Sequence, residues 1–244
     1  MDRLPDWLEV FANKVAKIPG VKTVLKPLYY SFKGHINKNL NNEFRMHALD
    51  LLESFDKCMV DNNIDYTLIF GTLLGAIREH GFIGHDLDID VALFIEDRSE
   101  KLAEVLNSAG FRLKHRFSID DGTLGCEESY MYKNTGVSID IFYIHPAINE
   151  LPYVCCWNCV GDSVNLMDSM RKYGHVIPRR IEMPISRKLN RVDFETIQVN
   201  ISETAKDMSE YSYGPNFMTP DPNYVAPTNH RVIWYEKKAI LELF

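Results

Sequence analysis

The sequence predicts an α/β or α+β domain in which a mixed sheet is covered by helices. Three observations predict this class. Segments with helical and with strand-like apolar spacing alternate as far as residue 144. The 244 residues are 45% hydrophobic, which is enough for one large core. A turn signal between two alternating runs predicts a hairpin within the sheet.

The predicted elements follow in the order helix, strand, helix, strand, helix and hairpin. Apolar positions with helical spacing predict helices over Asn42–Asn62, Thr72–Glu79 and Ser99–Ser108, the last of which is closed by Gly110. Branched, aromatic and alternating residues predict strands over Ile64–Phe70, Leu87–Phe94, Ser129–Lys133 and Val137–Ile144. Beyond Ile144 the signal weakens to a strand within Tyr153–Val160 and a helix over Glu203–Tyr211.

The chain divides into a basic amphipathic segment, residues 1–40, and a catalytic domain, residues 41–244. Residues 1–40 carry seven lysine and arginine side chains against three acids. An apolar helix face in this segment and the patch Leu25–Lys33 either pack on the core, which is favoured, or rest on an anionic membrane surface. A second group of basic residues, which would strengthen membrane association, comprises Arg171, Lys172, Arg179, Arg180, Arg187, Lys188 and Arg191.

Charge and hydropathy narrow the functional class. The formal net charge of −7 argues against a nucleic-acid partner. The longest run without Asp, Glu, Lys or Arg is the twelve residues Tyr66–Ile77, too short to span a bilayer. Without a basic start and an apolar block, the first residues do not resemble a secretion signal. The expected location is the cytoplasm, including the inner face of the membrane.

Three of the five cysteines are clustered at Cys155, Cys156 and Cys159. The spacing of the last two matches half of a zinc site, but no second pair follows, and only Cys126 or His145 could complete it. The favoured interpretation is a buried strand in which cysteine acts as a small hydrophobic residue.

Acidic residues within apolar strands indicate a metal-binding or catalytic site. Asp86, Asp88 and Asp90 are spaced by two, so an extended strand presents them on one face. Their mutual repulsion favours a divalent cation, and hard oxygen ligands suit Mg²⁺ or Mn²⁺. Asp140 lies in a similar apolar strand and would complete a three-carboxylate site with Asp88 and Asp90 if the two strands are neighbours. Such a site predicts phosphoryl or nucleotidyl transfer.

A phosphate-binding turn is predicted just upstream of these acids. Gly71 and Thr72 end a strand and open a helix, whose first amide groups attract anionic oxygens. Gly75 allows a close approach of the backbone. Arg78 either reaches a phosphate with its planar guanidinium or forms a surface salt bridge, and the nearby acids favour the first alternative.

The combined pattern resembles the signature of the nucleotidyltransferase fold shared with DNA polymerase β. The run 71–91, GTLLGAIREHGFIGHDLDIDV, more closely resembles the core motif of the LicD family, which includes bacterial phosphocholine transferases and the fukutin group. Ile139–Phe142 and Tyr213–Pro220 resemble later blocks of this family. The resemblance implies an α+β fold in which helices flank a mixed sheet, followed by a family-specific C-terminal elaboration.

The resemblance also implies an activity. A metal-dependent enzyme would move an alcohol phosphate, such as choline, ribitol or glycerol phosphate, from a CDP-activated donor to a hydroxyl of a glycan or lipid-linked glycan of the cell surface, releasing CMP. Asp88, Asp90 and Asp140 would hold the metal, Thr72 and its neighbouring amides the diphosphate, and Arg78 the charge of the leaving CMP. Asp86 would be a direct or outer ligand, and Asp140 could also accept the proton of the acceptor hydroxyl.

Two positions depart from the family pattern, which often has an aromatic residue and a further acid where this chain has His85 and Leu87. His85 either contacts a phosphate or the acceptor or is a loop residue, and the loop role is favoured. Two other functions stay open: a nucleotidyltransferase that transfers a nucleoside monophosphate and releases pyrophosphate, and a non-catalytic nucleotide-binding scaffold.

Overall fold

The computed structural model describes residues 42–84, 86–221, 224 and 231–244. The expectations for residues 1–40 and for His85 therefore lie outside the described residues. Five helices in the described part of the chain are α1 (42–61), α2 (Phe70–Arg78), α3 (Glu100–Ser108), α4 (Leu166–Tyr173) and α5 (Ala205–Tyr213). None of them combines the length and the apolar character needed to cross a bilayer.

The strands of the described residues form three sheets, the largest of which is mixed. The strands are β1 (Thr67–Leu68), β2 (Ile89–Phe94), β3 (Phe111–Ile119), β4 (Gly125–Tyr132), β5 (Ser138–Ile144), β6 (Tyr153–Asn158), β7 (Ile177–Glu182), β8 (Leu189–Phe194), β9 (Ile197–Ser202), β10 (Arg231–Ile233) and β11 (Ile240–Leu243). Six of them form a sheet in the order β1-β2-β5-β4-β3-β11, in which β2 and β5 are parallel and the other neighbours antiparallel. Antiparallel sheets β10-β7-β6 and β8-β9 complete the fold. The prediction of a mixed sheet flanked by helices is confirmed.

The main core lies between the six-stranded sheet and the helices. Leu51, Leu52 and Phe55 of α1 are fully buried in it, as are Ile89 and Val91 of β2. This burial follows the helical spacing of α1 and the alternation of β2. A smaller hydrophobic cluster, which contains Tyr153 and Cys155, is formed by residues of β3 and β6 together with Val176 and Ala239.

A close backbone contact fixes the loop between α2 and β2. A Cβ atom built on Gly75 would lie 2.4 Å from the carbonyl oxygen of Gly81, so this helix position requires glycine. The carbonyl of Gly75 also accepts hydrogen bonds from the amides of Glu79 and Gly81. The loop that leads to Asp86 is thereby held against α2.

Several predicted elements are confirmed. Ser99 caps α3 by accepting a hydrogen bond from the amide of Leu102, and Gly110 follows the helix with a φ of +90°. The hairpin joins β4 to β5 through a turn in which Gly136 has a φ of +76°. The strand predicted within Tyr153–Val160 is β6.

The boundaries of two strands differ from the prediction. The strand expected over Ile64–Phe70 is only β1, because the chain turns after Ile69 and α2 begins at Phe70, which has a φ of +48°. Strand β4 begins four residues before the expected Ser129, since it is buried on both faces and shows no alternation. Strands β3, β7, β8 and β9 and helix α4 were not predicted.

The basic residues between 171 and 191 lie on four separate segments. Most are neutralised within the chain: the ion pairs are Arg171 and Lys172 with Asp168, Arg180 with Glu182, Arg187 with Glu96, Lys188 with Glu203, and Arg191 with Asp56. Exposed ion pairs compete with lipid phosphates for the same cations. These residues therefore offer an anionic membrane less positive charge than the sequence suggested.

Candidate active site

Two predicted carboxylates lie side by side on adjacent parallel strands. The register of β2 and β5 places Asp90 directly opposite Asp140. Neighbouring residues of paired strands share a face of the sheet, so both side chains emerge on the same side. The condition on which the sequence prediction depended, that these two strands are neighbours, is therefore met.

Asp90 is fixed through both of its backbone groups. Its amide donates a hydrogen bond of 2.9 Å to Oγ1 of Thr72, and its carbonyl accepts one of 3.2 Å from the amide of Ile69. Both partners belong to the entry into α2. The predicted phosphate-binding turn and the predicted carboxylate strand are thus joined in one rigid unit.

The electrostatic environment of Asp90 identifies the other members of the site. Burial and then the negative charges of Asp88, Asp140, Glu127 and Asp86 hold the pKa of the Asp90 carboxyl well above its usual range. Five carboxyl groups therefore share one region. Such a group is stable in its ionised form only with a compensating positive charge.

Glu127 is the member that the sequence prediction missed. It lies on β4 two residues from Ser129, which is opposite Asp140, so it faces the same side of the sheet. Burial and the charge of Asp140 raise its pKa to about 8, although a hydrogen bond from the indole N–H of Trp157 lowers it. The available signal was the pair Glu127-Glu128 inside an apolar strand. Adjacent strand residues point to opposite faces of the sheet, so each buried face receives one of the two acids.

Asp86 belongs to the loop between α2 and β2, and its side chain lies against the first turn of α2. A Cβ atom built on Gly71 would be 3.5 Å from Oδ1 of Asp86, so the carboxylate is in contact with this turn. The first turn of a helix favours negative charge. The structure thus brings Gly71, Thr72 and Asp86 together with Asp90.

Thr72 should be needed for stability through its hydroxyl group. Its side chain is 1% exposed, and Oγ1 accepts the hydrogen bond of the Asp90 amide. We expect Thr72→Val to lower the free energy of unfolding by about 1–2 kcal/mol, because a buried N–H loses its acceptor. Thr72→Ser, which keeps the acceptor, should stay within about 1 kcal/mol of wild type. Urea unfolding measures both, and equal losses in the two variants would show that the methyl group, not the hydrogen bond, is what matters.

A cleft of about 1030 Å³ opens beside these residues. One wall comes from α2 and the following loop, with Gly71, Arg78 and Asp86. The other wall comes from the end of α5 and the residues after it, including Tyr213 and Tyr224. The segment Tyr213–Pro220, singled out in the sequence, therefore faces the predicted turn across the cleft.

Arg78 forms a salt bridge and also lines the cleft. Its Nε donates a hydrogen bond of 2.8 Å to Oε1 of Glu79, and a second nitrogen, Nη1, donates one of 3.4 Å to the carbonyl oxygen of Phe217. The side chain is only 11% exposed and lines the cleft. It is placed to meet an anion there while it stays paired with Glu79.

The cysteine cluster is divided between the two faces of β6. Cys155 is buried in the smaller cluster, whereas Cys156 packs against the main core. No disulfide joins the five cysteines within the described residues. Within residues 42–84, 86–221, 224 and 231–244, no three His, Cys, Asp or Glu side chains converge closely enough to form a preorganised metal site.

Comparisons with known proteins identify relatives of the same segment. Residues 63–158 match the family described as LicD/FKTN/FKRP, nucleotidyltransferase domain. The chain is 28% identical over 177 residues to the ribitol-5-phosphate transferase FKTN of Mus musculus, which covers 72% of this chain and 34% of that protein. The human protein of the same name is 29% identical over 115 residues, 47% of this chain and 23% of that protein.

A further relative has no described activity. An uncharacterised protein of Caenorhabditis elegans is 30% identical over 137 residues, which cover 54% of this chain and 35% of that protein. The matched part of this chain thus spans about a third or less of the length of these relatives. The family segment 63–158 extends from the approach to β1 to the end of β6 and contains all five clustered carboxylates.

Proposed function

Because the chain belongs to the LicD family through residues 63–158, we propose that it is a phosphotransferase that moves an alcohol phosphate from a CDP-activated donor to a hydroxyl group of a glycan. The observation that carries this proposal is the pairing of Asp90 with Asp140 across β2 and β5, beside the first turn of α2. The named relatives are ribitol-5-phosphate transferases. We propose the nucleotidyltransferase fold for the segment on the same basis.

The carboxylate donors of the site suit Mg²⁺ or Mn²⁺ by their chemistry, although no three of them within the described residues converge into a ready-made metal site. Carboxylate oxygens are the ligands that these hard cations prefer, and the crowded negative charge around Asp90 is what a divalent cation relieves. Asp88, Asp90 and Asp140 would hold the ion, and Asp86 would be a further or outer ligand. When bound, the ion stabilises negative charge on the phosphate oxygens.

The residues of the chain have separate tasks in the proposed reaction. The amides at the start of α2 orient the diphosphate, the buried hydroxyl of Thr72 holds the Asp90 amide beside them, and the guanidinium of Arg78 stabilises the charge on the leaving CMP. The Asp140 carboxylate accepts the proton of the acceptor hydroxyl as its oxygen attacks the distal phosphorus. The bond from this phosphorus to the bridging oxygen breaks, and CMP leaves with that oxygen.

Location follows from the proposed acceptor. A lipid-linked glycan lies at a membrane, so we propose a cytoplasmic enzyme that acts at the inner membrane face. Because most basic residues between 171 and 191 are ion-paired, this part of the proposal depends on the basic segment 1–40. High salt should release the protein from anionic vesicles if the attraction is electrostatic.

Ligand-dependent thermal stabilisation tests the activity class. We expect one CDP-alcohol from a panel with choline, ribitol, glycerol and ethanolamine to raise the melting temperature by about 5 °C at a hundredfold excess over its Kd. The shift should require Mg²⁺ and disappear in Asp88→Asn. Asp65→Asn, which removes an exposed acid before β1, is the matched control and should leave the shift unchanged.

The released product separates the competing functions. Incubation with the stabilising CDP-alcohol and an acceptor glycan should yield CMP. Stabilisation by nucleoside triphosphates alone, with release of pyrophosphate, would contradict the proposal in favour of nucleotidyl transfer. Binding without any turnover would favour a scaffold.

A further inference from the structure

Two arginine side chains share one face of the sheet β10-β7-β6. The register places Arg179 of β7 opposite Cys156 of β6, and Arg231 of β10 opposite Ile181. Arg179 and Ile181 are two residues apart and therefore point to the same side. Arg179 and Arg231 are thus diagonal neighbours, a separation that long side chains can bridge.

This face looks towards the clustered carboxylates. Cys156 and Ile181, two other members of this face, pack against the main core rather than against the smaller cluster. The pKa of the Cys156 thiol is raised to about 12, first by burial and then by Glu127 and Asp90, whereas Arg179 and Arg231 oppose the rise. Both arginines and two of the carboxylates therefore lie close enough to one thiol group to change its pKa.

Arg231 also lies near two tyrosines that line the cleft. Burial and then the charges of Asp90, Tyr224 and Asp86 raise the pKa of Tyr213, whereas Arg231 lowers it. Tyr213 and Tyr224 both line the cleft, and Arg231 acts on each of them. The arginine face consequently lies close to the cleft wall that Tyr213 and Tyr224 form, opposite Gly71 and Arg78.

Neither arginine has a counter-ion among the residues that the structure describes. No ion pair within the described ranges includes Arg179 or Arg231, and the Nε atom of each is buried without a hydrogen-bond partner there. Their neighbour Arg180, on the opposite face of β7, is paired with Glu182 at 3.0 Å. A buried guanidinium N–H group without an acceptor is costly, and an anionic ligand would relieve that cost.

We propose that Arg179 and Arg231 form a second anion subsite that holds a phosphate oxyanion of the substrate. The planar guanidinium fork matches the oxygens of a phosphate group, and two forks on one face can hold one such group from both sides. The identity of the anion rests on the proposed function, because the neighbouring cleft is where the diphosphate would lie. Two sources share this chemistry: the distal phosphate of the nucleotide donor and a phosphate carried by the acceptor.

Calorimetric titration of the full chain with inorganic pyrophosphate, in the presence of Mg²⁺, tests the subsite. We expect Arg179→Gln and Arg231→Gln each to weaken pyrophosphate binding about tenfold or more, as the loss of charge-assisted hydrogen bonds to phosphate does. Arg112→Gln, which removes an exposed arginine of β3, is the matched control and should bind as wild type does. Arg179→Lys and Arg231→Lys keep the charge and should lose less than the glutamine variants. They also keep the test valid if either glutamine variant fails to fold.

CMP and CDP distinguish the two sources. If the subsite takes the distal phosphate of the donor, the glutamine variants weaken the binding of CDP about tenfold and that of CMP much less. If it takes an acceptor phosphate, both nucleotides bind as in wild type, whereas inorganic phosphate no longer binds to the CDP-saturated variants. Wild-type affinity of both variants for pyrophosphate, CDP and phosphate would overturn the subsite.

The failure of the subsite and that of the proposed function are separable. A wild-type chain that transfers an alcohol phosphate, together with arginine variants of unchanged affinity and turnover, would overturn the subsite alone. Pyrophosphate binding that depends on both arginines, in a chain without transferase activity, would support the subsite and contradict the proposed function.

Discussion

Replacing Asp90 by asparagine should abolish transfer and leave the metal-free protein at least as stable as wild type. The variant keeps the amide that donates to Thr72 and the carbonyl that accepts from Ile69, so β2 stays in place. It removes one negative charge from a group in which Asp88, Asp140, Glu127 and Asp86 repel it. We expect turnover to fall at least about a thousandfold, as the loss of a group that stabilises the transition state does.

The stability change has a definite dependence on pH. Because the folded-state pKa of Asp90 is raised, the folded wild type holds a proton that the unfolded chain has released, and its stability falls as pH rises above the ordinary aspartate value. Asp90→Asn removes this loss. The free energy of unfolding of the variant, relative to that of wild type, should therefore increase by about 1 kcal/mol or more from pH 5 to pH 8. Urea unfolding without divalent cations measures the difference.

The controls separate charge from packing. Asp65→Asn removes an exposed acid outside the site and should change neither turnover nor the pH dependence of stability. If Asp90→Asn unfolds at lower urea concentration than wild type at pH 8, the carboxylate is a structural acceptor rather than a site of electrostatic strain. A variant that keeps a tenth of the wild-type turnover would contradict its place among the metal ligands.

The carboxylates of β2 and β5 could be predicted because their signal is local. Each aspartate interrupts an apolar alternation, and a charged residue in such a run must have a partner. What the alternation could not show is which strands are neighbours, since the parallel pairing of Asp90 with Asp140 joins residues fifty positions apart. The predicted carboxylate site depended on that adjacency as a condition, and the register of β2 and β5 meets it.

Glu127, Arg179 and Arg231 were not assigned to the site, because their positions depend on the same kind of long-range pairing. The pair Glu127-Glu128 indicates that one acid faces each side of β4, but not which of the two lies on the side of Asp140. The two arginines come from strands that pair across fifty residues and meet the carboxylates only through the packing of two sheets. Their unused donors become visible only when every partner in the described structure is known.

The elements after residue 144 were mostly missed because they are short and lack a clear period. Strand β7 contains two consecutive charged residues, Arg179 and Arg180, that lie on opposite faces, and β8 carries the charged residues Arg191 and Asp193. Ion pairs with Glu182 and Asp56 stabilise such residues in a strand, although the sequence alone suggests a solvated surface. Tertiary contacts, rather than local propensity, determine these elements.

Glu127 and Glu128 offer a test in which one chemical change has opposite effects at adjacent positions. Glu128 points to the other face of β4, where its carboxylate accepts hydrogen bonds from Arg98, Arg116, Tyr130 and Tyr143. Burial opposes its ionisation, but the hydrogen bonds from Tyr143 and Arg116 lower its pKa below the ordinary glutamate value. Glu127, in contrast, has its pKa raised to about 8 by burial and by Asp140.

We therefore expect Glu128→Gln to lower the free energy of unfolding by about 2 kcal/mol or more, because two partly buried arginines lose their common counter-ion. This deficit should persist from pH 5 to pH 8, since the contribution of a carboxyl with a lowered folded-state pKa is present above its unfolded value and is lost only in acid. Glu127→Gln should behave in the opposite way. Ionisation of Glu127 lowers the stability of the folded wild type as pH rises from about 4.5 to about 8, and the variant lacks this contribution, so its stability relative to wild type should rise by up to about 5 kcal/mol across that interval.

Urea unfolding of wild type and both variants at pH 5, 6.5 and 8, without divalent cations, measures these differences. The two variants remove the same charge from neighbouring positions of one strand, so each is the control for the other. If both lose stability equally at every pH, the two carboxyl groups share one structural role and Glu127 does not belong to the electrostatically strained group around Asp90. If Mg²⁺ stabilises wild type at pH 8 and stabilises Glu127→Gln less, the strain at Glu127 is relieved by the cation, and this glutamate acts in the same site as Asp90 and Asp140.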